Sequence, residues 1–174
     1  EERRVNWEIL DVWRDAAAEC GIPKIEEFNQ GDNFGNAFFQ MNQKSGKRWS
    51  AVRAFLDPIR SRKNLTILTE THVDRLKLEK TDGGVKAIGV IIKEKGQKRS
   101  IGAKVEVILS TGAIGSPQLL QISGIGPTAL LSKFGIKTLV DIPGVGQNLQ
   151  DHLQIRTIYE VKNTTTLNEK VGSL

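Results

Sequence analysis

The run Val105-Glu106-Val107-Ile108-Leu109-Ser110 feeds directly into Thr111-Gly112-Ala113-Ile114-Gly115-Ser116-Pro117, and no other stretch narrows the fold as much. A short, almost continuous apolar run is the pattern of a strand buried on both faces, as in a parallel sheet. Glycine just beyond such a strand serves either a sharp turn or the close approach of a ligand. Open α/β sheets bind their ligands in the crevice outside the carboxyl ends of the strands. A helix expected over Ile114 to Ile122 would point its N-terminus at that crevice and favour an anion there. The residues alone leave both uses of glycine open.

Upstream the pattern is antiparallel. Leu65 to Thr69 and His72 to Leu78 alternate as strands, and Thr81-Asp82-Gly83-Gly84 is a strong turn signal. Val85 to Lys95 reads as the next strand, Gly96-Gln97 as the next turn and Lys98 to Lys104 as a third strand, so a three-stranded meander is expected. At the N-terminal side, Val5 to Cys20 has helical spacing, with Gly21 ending the helix and Pro23 preventing its continuation. Ser50 is placed to cap a second helix whose apolar face is Val52, Phe55, Leu56 and Ile59, and Pro58 should kink or end it. Between them, residues 26–50 are rich in Asn, Gln, Gly and aromatics and show no period; a stretch of that length is more often functional than idle. Thr128 to Phe134 reads as a further short helix, followed by the glycine-rich loop "DIPGVGQNLQDHL".

Composition excludes several function classes. The net charge of +5 is spread along the chain rather than clustered, which argues for a solvated face and against nucleic acid as a partner. A single cysteine, Cys20, forbids an internal disulfide. No apolar run approaches the roughly 20 residues of a membrane span, so no transmembrane segment is expected. No set of His, Cys or carboxylates has metal-ligand spacing, so no metal is expected either.

Candidate catalytic groups are few. His72 lies within an expected strand and reads as structural. His152 stands beside Asp151 in the last loop, where an Asp-His pair either orients a base or anchors the loop. Gly124-Ile125-Gly126 and Gly144-Val145-Gly146 each lack the third glycine of a dinucleotide fingerprint. The aromatics Phe28, Phe34, Phe38, Phe39 and Trp49, without clustered lysines, read as core.

Taken together, Gly112-Ala113, Ser116-Pro117, Leu119-Leu120 and Ser123-Gly124-Ile125-Gly126 resemble the second signature of the glucose-methanol-choline oxidoreductases, flavoenzymes that oxidise alcohols with FAD. The flanking "AKVEVILSTGA" is similar to the family's strand before that signature, with Thr111 where alanine is commoner. "DIPGVGQNLQDH" and "NQKSGKRWSAVRAFLDPIRSRKNLTILTETHV" resemble its neighbouring text, so the likeness runs from about Trp7 to His152.

The resemblance implies a mixed α/β fold, part of an FAD-binding Rossmann-like sheet with a three-stranded antiparallel meander and a small piece of the substrate domain. It implies residues 1–49 as a substrate-domain segment, 50–152 as a partial FAD-binding domain and 153–174 as the start of more substrate domain. FAD is the implied cofactor. Val73 matches the position whose backbone meets the adenine, while Thr111, Gly112 and Ala113 would pass close to the dinucleotide. The family's diphosphate loop and its catalytic histidine match nothing in this chain. The expectation is therefore a central fragment with no catalytic residue of its own, needing the missing N- and C-terminal parts of the same polypeptide. The intact protein would oxidise a small-molecule alcohol, choline or another, by hydride transfer to the flavin. The alternatives are a hydroxynitrile lyase on the same scaffold and a non-catalytic module without cofactor. The expected location is cytoplasmic, with peripheral inner-membrane association as the second option.

Overall fold

The computed structural model describes residues 7–171, with side chains to residue 169. The expected helical residues Val5 and Asn6 lie outside them. The chain divides into two compact units, one running to Leu65 and resuming at Arg156, the other spanning Thr66–Ile155.

In the first unit, helix α1 covers Glu8–Glu19. It ends as its glycine demands: Gly21 has φ 85° and donates to Ala18 O, while Ile22 N–H reaches back to Ala17 O at 3.0 Å. That pair of bonds satisfies carbonyls that a helix end leaves open. The irregular segment after it is held by one amide. Asn36 is 3% exposed; its Nδ2 donates to Ile22 O at 2.8 Å, and its Oδ1 accepts from Arg14 Nε at 3.1 Å. Arg14 also lies 4.7 Å from the Phe38 ring centre. Within this irregular stretch a small hairpin forms from β1 (Gln43–Lys44) and β2 (Lys47–Arg48).

The helix expected after Ser50 forms in a different shape. A wide π-type turn over Val52–Leu56 passes into a 3-10 turn over Asp57–Ile59. Pro58 explains the change, since it has no N–H to continue an α-helical ladder. Ser50 Oγ still accepts from Arg53 N–H, at 3.4 Å. The aromatics expected as core are not buried: Phe28 and Phe39 stack at 5.8 Å, but Phe34 and Phe39 are exposed.

The second unit contains the meander. β3 (His72–Thr81), β4 (Gly84–Glu94) and β5 (Gln97–Gly102) pair antiparallel in sequence order. Asp82-Gly83 makes the first turn; the second falls on Lys95 and Gly96, one residue earlier than expected, with φ 48° and 82°. Two left-handed residues in succession match the right-handed twist of the flanking strands. Leu65 to Thr69, expected as a strand, has no ladder partner among the described residues, and Glu70 at φ 52° separates it from β3.

After Gly102 the chain runs without regular structure to helix α2 (Gly112–Ile122), so the doubly buried strand expected over Val105 to Ser110 does not form. The physical reason is the lack of a partner: no described residue exchanges ladder bonds with it, and Val105 is 84% and Ile108 76% exposed. Beyond α2, β6 (Ile125–Gly126) pairs parallel with β7 (Val140–Asp141) around α3 (Thr128–Lys133). A last short helix, α4, spans Leu167–Val171. The buried apolar side chains Leu76, Ile92, Leu119 and Leu131 all belong to this second unit and are carried by the meander, α2 and α3. No helix among the described residues is long and apolar enough to cross a membrane.

Candidate functional site

Helix α2 organises the second unit, and its two ends do different work. At its C-terminal end Ser123 Oγ donates to Leu119 O at 2.6 Å and accepts from Leu76 N–H at 2.9 Å. Leu76 sits between two irregularities of β3, at Val73/Arg75 and at Lys77/Leu78, on an edge strand whose outward N–H groups have no ladder partner among the described residues. One buried hydroxyl therefore satisfies an edge donor and ties the meander to the helix. The glycines that follow serve the same close packing. A Cβ at Gly124 would stand 2.7 Å from Lys137 O, so only glycine lets the Leu139 segment lie against it.

The N-terminal end is open. Thr111, at the N-cap, makes no side-chain bond to the helix backbone; its Oγ1 pairs with Ser116 Oγ at 3.0 Å. No acidic residue stands in the first turn. The leading N–H groups of α2 thus keep their partial positive charge without a local side-chain cap. Gly112 has φ 87°, and a Cβ built on it meets nothing within 4 Å. Turn and ligand edge make opposite demands on a glycine, and Gly112 meets half of each: its backbone needs the left-handed region, yet it faces open space rather than protein.

Beside this end lies a cleft of about 610 Å³ between α2 and the loop Gly146 to Gln150. Ala113, Ile114, Pro117 and Gln118 line its helix side, and Gln147 and Asn148 line its loop side. The loop is held from below by Gln121, whose Nε2 donates to Val145 O at 3.1 Å. Of the four expected cofactor contacts, Thr111, Gly112 and Ala113 are consecutive here, and Ala113 lines the cleft. Val73 does not; it is half-buried in β3, paired with Ile92. The sequence reading marked the glycine-rich loop but assigned neither its residues 146–150 nor Gln121 to the site. The one available signal was a polar residue, Gln121, set between the apolar Leu120 and Ile122.

The histidines take no part in this geometry. His72 is exposed at the start of β3, opposite Lys93, and Asp151 accepts the backbone N–H of His152 at 2.8 Å. The perturbed carboxylate lies in the meander instead: hydrogen bonding from Lys98, at 2.9 Å, holds Asp74 below its usual range, partly opposed by desolvation and aided by Arg75. Among the described residues no cluster of His, Cys, Asp and Glu could hold a metal ion.

A family model described as GMC oxidoreductase matches residues 2–154. The human mitochondrial choline dehydrogenase is 46% identical over 152 residues, 87% of this chain and 25% of that protein. An oxygen-dependent choline dehydrogenase of Photobacterium profundum is 42% identical over 164 residues, 94% of this chain and 28% of that protein. The chain therefore spans about a quarter of the length of these curated relatives. Among solved structures, pyridoxine 4-oxidase from Mesorbium loti superposes with a TM-score of 0.74 at 37% identity, covering 83% of this chain and 28% of that one. An FAD-dependent oxidoreductase from Chaetomium thermophilum superposes with a TM-score of 0.75 at 32% identity, covering 84% and 25%.

Proposed function

The chain belongs to the GMC oxidoreductase family, and from that membership we propose that it forms one wall of the FAD crevice in an enzyme that oxidises an alcohol, with choline the leading substrate. The observation that carries this reading is the start of α2: an uncapped helix end without acidic residues, begun by a glycine that faces open space. Those features fit a dinucleotide. A side chain at Gly112 would project into the space where the cofactor lies, and the free N–H groups of the first turn suit its electron-rich oxygens. Choline is preferred because two of the relatives most similar in sequence are named choline dehydrogenases.

FAD, when bound, supplies the acceptor for the hydride leaving the alcohol carbon. This chain's part is to bind and orient. Thr111, Gly112 and Ala113 keep the backbone low enough for the cofactor to lie against it, and Val73 meets the adenine. Ser123 keeps β3 and α2 in fixed register, so these two contact regions hold a constant separation. Neither His72 nor His152 takes the hydroxyl proton in this reading; that base comes from another part of the enzyme.

The test has two arms. The complete polypeptide carrying this sequence, once purified, should show a bound-flavin absorption spectrum and oxidise choline or a simple primary alcohol in a dye-coupled assay. The 174-residue chain should give no turnover, with or without added FAD. A complete polypeptide without flavin sinks the flavoenzyme reading. Turnover by the 174-residue chain sinks the claim that it provides a wall and no base.

A further inference from the structure

We propose that Lys47, Arg48, Ser50 and Arg53 form a binding site for a phosphate group, free in solution or carried by a small soluble molecule. The four residues line one open pocket of about 420 Å³ in the first unit. Residues 44–63 around it hold seven lysines and arginines against a single carboxylate, Asp57, a local charge of +6 where the whole chain carries +5. Positive charge is therefore concentrated here, against the even spread that composition suggests. Pairing sets the pocket's cations apart from others in the chain. Lys98 meets Asp74 at 2.9 Å, Arg99 meets Glu94 at 3.2 Å, and Asp57 is occupied by Arg60 at 3.0 Å. Among the described residues no carboxylate lies within ion-pair distance of Lys47, Arg48 or Arg53, and all three are exposed.

The local fold holds these cations together. Ser45 and Gly46, at φ 51° and 70°, close a two-residue turn that sets Lys44 directly opposite Lys47 in the β1–β2 pair. Like charges so placed repel. Lys44 is compensated by Trp49, whose ring centre lies 5.0 Å from its Nζ, while Lys47 has no such contact among the described residues. Trp49 N–H donates to Asn42 O at 2.7 Å and extends the pairing to Ser50. Ser50 Oγ accepts from Arg53 N–H at 3.4 Å, and its own proton has no acceptor among the described residues. The donor set selects the ligand. Two guanidinium forks, an ammonium and a hydroxyl offer many donors and one acceptor. A carboxylate, with a single charge, would leave part of that set unmet. A phosphate monoester brings about two charges and three strong acceptor oxygens at neutral pH, and the planar arginine fork matches it in bidentate fashion. Because the cations are exposed, affinity falls as salt rises.

The experiment uses the complete polypeptide carrying this chain, with FAD at saturation so that no cofactor site is open to phosphate. Inorganic phosphate, glycerol phosphate and acetate are titrated by calorimetry at constant ionic strength. Both phosphates should bind saturably, and acetate about tenfold more weakly. Tighter binding of the ester assigns the group to a larger molecule; equal binding assigns it to free phosphate. Arg48→Gln and Arg53→Gln should each weaken phosphate about three- to fivefold, as the loss of one exposed charge contact does. Arg53→Lys, which keeps the charge without the fork, should recover part of the loss. Arg62→Gln removes the same charge from the same basic stretch outside the pocket and should weaken phosphate by less than about twofold. Circular dichroism confirms that each variant is folded. A loss in Arg62→Gln equal to that in Arg48→Gln would assign binding to the diffuse field of the stretch and overturn the site. Unchanged affinity in both Arg48→Gln and Arg53→Gln would overturn it as well. So would the absence of saturable phosphate binding, the result expected if an acidic segment of the remaining polypeptide covers these cations.

Discussion

The meander and the segment that follows it are both rich in β-branched and apolar residues, yet one is a sheet and the other is not. In β3 and β4, Leu76 and Ile92 are buried to 6% and 2% exposure, and every strand finds its partner across a two-residue turn. Val105 to Ser110 is also rich in apolar residues yet remains unpaired, with Val105 and Ile108 facing solvent. The difference is the distance to a partner. Antiparallel neighbours come from the adjoining residues through a tight turn, whereas a parallel strand needs a neighbour brought in by a long crossover. No described residue supplies one. Apolar pattern therefore states what a segment would bury, and connectivity decides whether this chain buries it.

The largest expected effect breaks the side of that contrast that is complete. Gly89 in β4 has φ 152°, and a Cβ there would stand 2.1 Å from Ile101 O in β5. Gly89→Val should cost about 3 kcal/mol or more, from backbone strain together with overpacking against a backbone atom that cannot move without loss of the ladder. Urea denaturation followed by far-ultraviolet circular dichroism reads it, and an unchanged midpoint would mean that the β4–β5 contact is loose. Next comes Ser123→Ala, which leaves the Leu76 N–H buried without its acceptor at a cost of about 1–3 kcal/mol. Amide exchange at Leu76 should accelerate more than at Val90, which the sheet continues to hold.

Much of this architecture was legible because its causes are local. Gly21, the Asp82-Gly83 turn and the alternation from His72 to Leu78 each act within a few residues, and each appears where the spacing places it. Misplaced elements have distant causes. Leu65 to Thr69 and Val105 to Ser110 alternate or run apolar as strands do, but strand formation is settled by pairing, which a one-dimensional pattern does not contain. The site divides in the same way. Thr111 to Ala113 could be named from one contiguous motif. The cleft beside them depends on Gln121 meeting Val145, 24 residues away, and no period or motif announces such a contact. The aromatics of residues 28–39 fail for a further reason: hydrophobicity suggests burial, while here the buried centre of the segment is the amide of Asn36.

A smaller effect lies at the junction of the unpaired segment and α2. Gly112→Ala should cost about 1 kcal/mol because φ 87° is unfavourable for an L-residue. Gly112→Leu should cost nearly the same, since a Cβ there has no neighbour within 4 Å. A much larger loss for Leu than for Ala, measured on the cofactor-free chain by thermal melting, would show that protein occupies the space assigned to ligand. Smaller again is the acid response of the meander. Asp74 is held below its usual range chiefly by Lys98, which reaches it from β5 across β4. A carboxylate whose folded pKa is depressed contributes stability above its unfolded value, about 3.9, and loses that contribution as pH falls through the folded value. Asp74→Asn should therefore lower the denaturation midpoint slightly at pH 7, and the difference from the unaltered chain should shrink as pH falls below about 3.9 and vanish only once pH is below the folded value. A difference that persists into strong acid would assign the effect to shape rather than charge.

The smallest expected effect is the sharpest test of the contrast itself. Val105→Ser and Ile108→Ser remove apolar groups from a segment that reads as core and is exposed in this chain. In the 174-residue chain each should change stability by less than about 0.5 kcal/mol, as substitutions at exposed sites do. The matched change in the paired region, Ile92→Ser, removes a side chain that is 2% exposed and should cost several-fold more, because truncation adds a cavity to the lost transfer energy and the new hydroxyl is buried. The ratio between the two carries the information, since it compares β-branched residues within one unit of one chain. Near-equal losses would mean that Val105 and Ile108 are already covered and that the segment has a partner within these residues. A large ratio in the 174-residue chain that shrinks in the complete polypeptide would mean that the remainder of the enzyme supplies the missing neighbour. The apolar pattern of Val105 to Ser110 would then describe a surface waiting for that neighbour, and the glycine at its end would open onto the crevice only once the neighbour is in place.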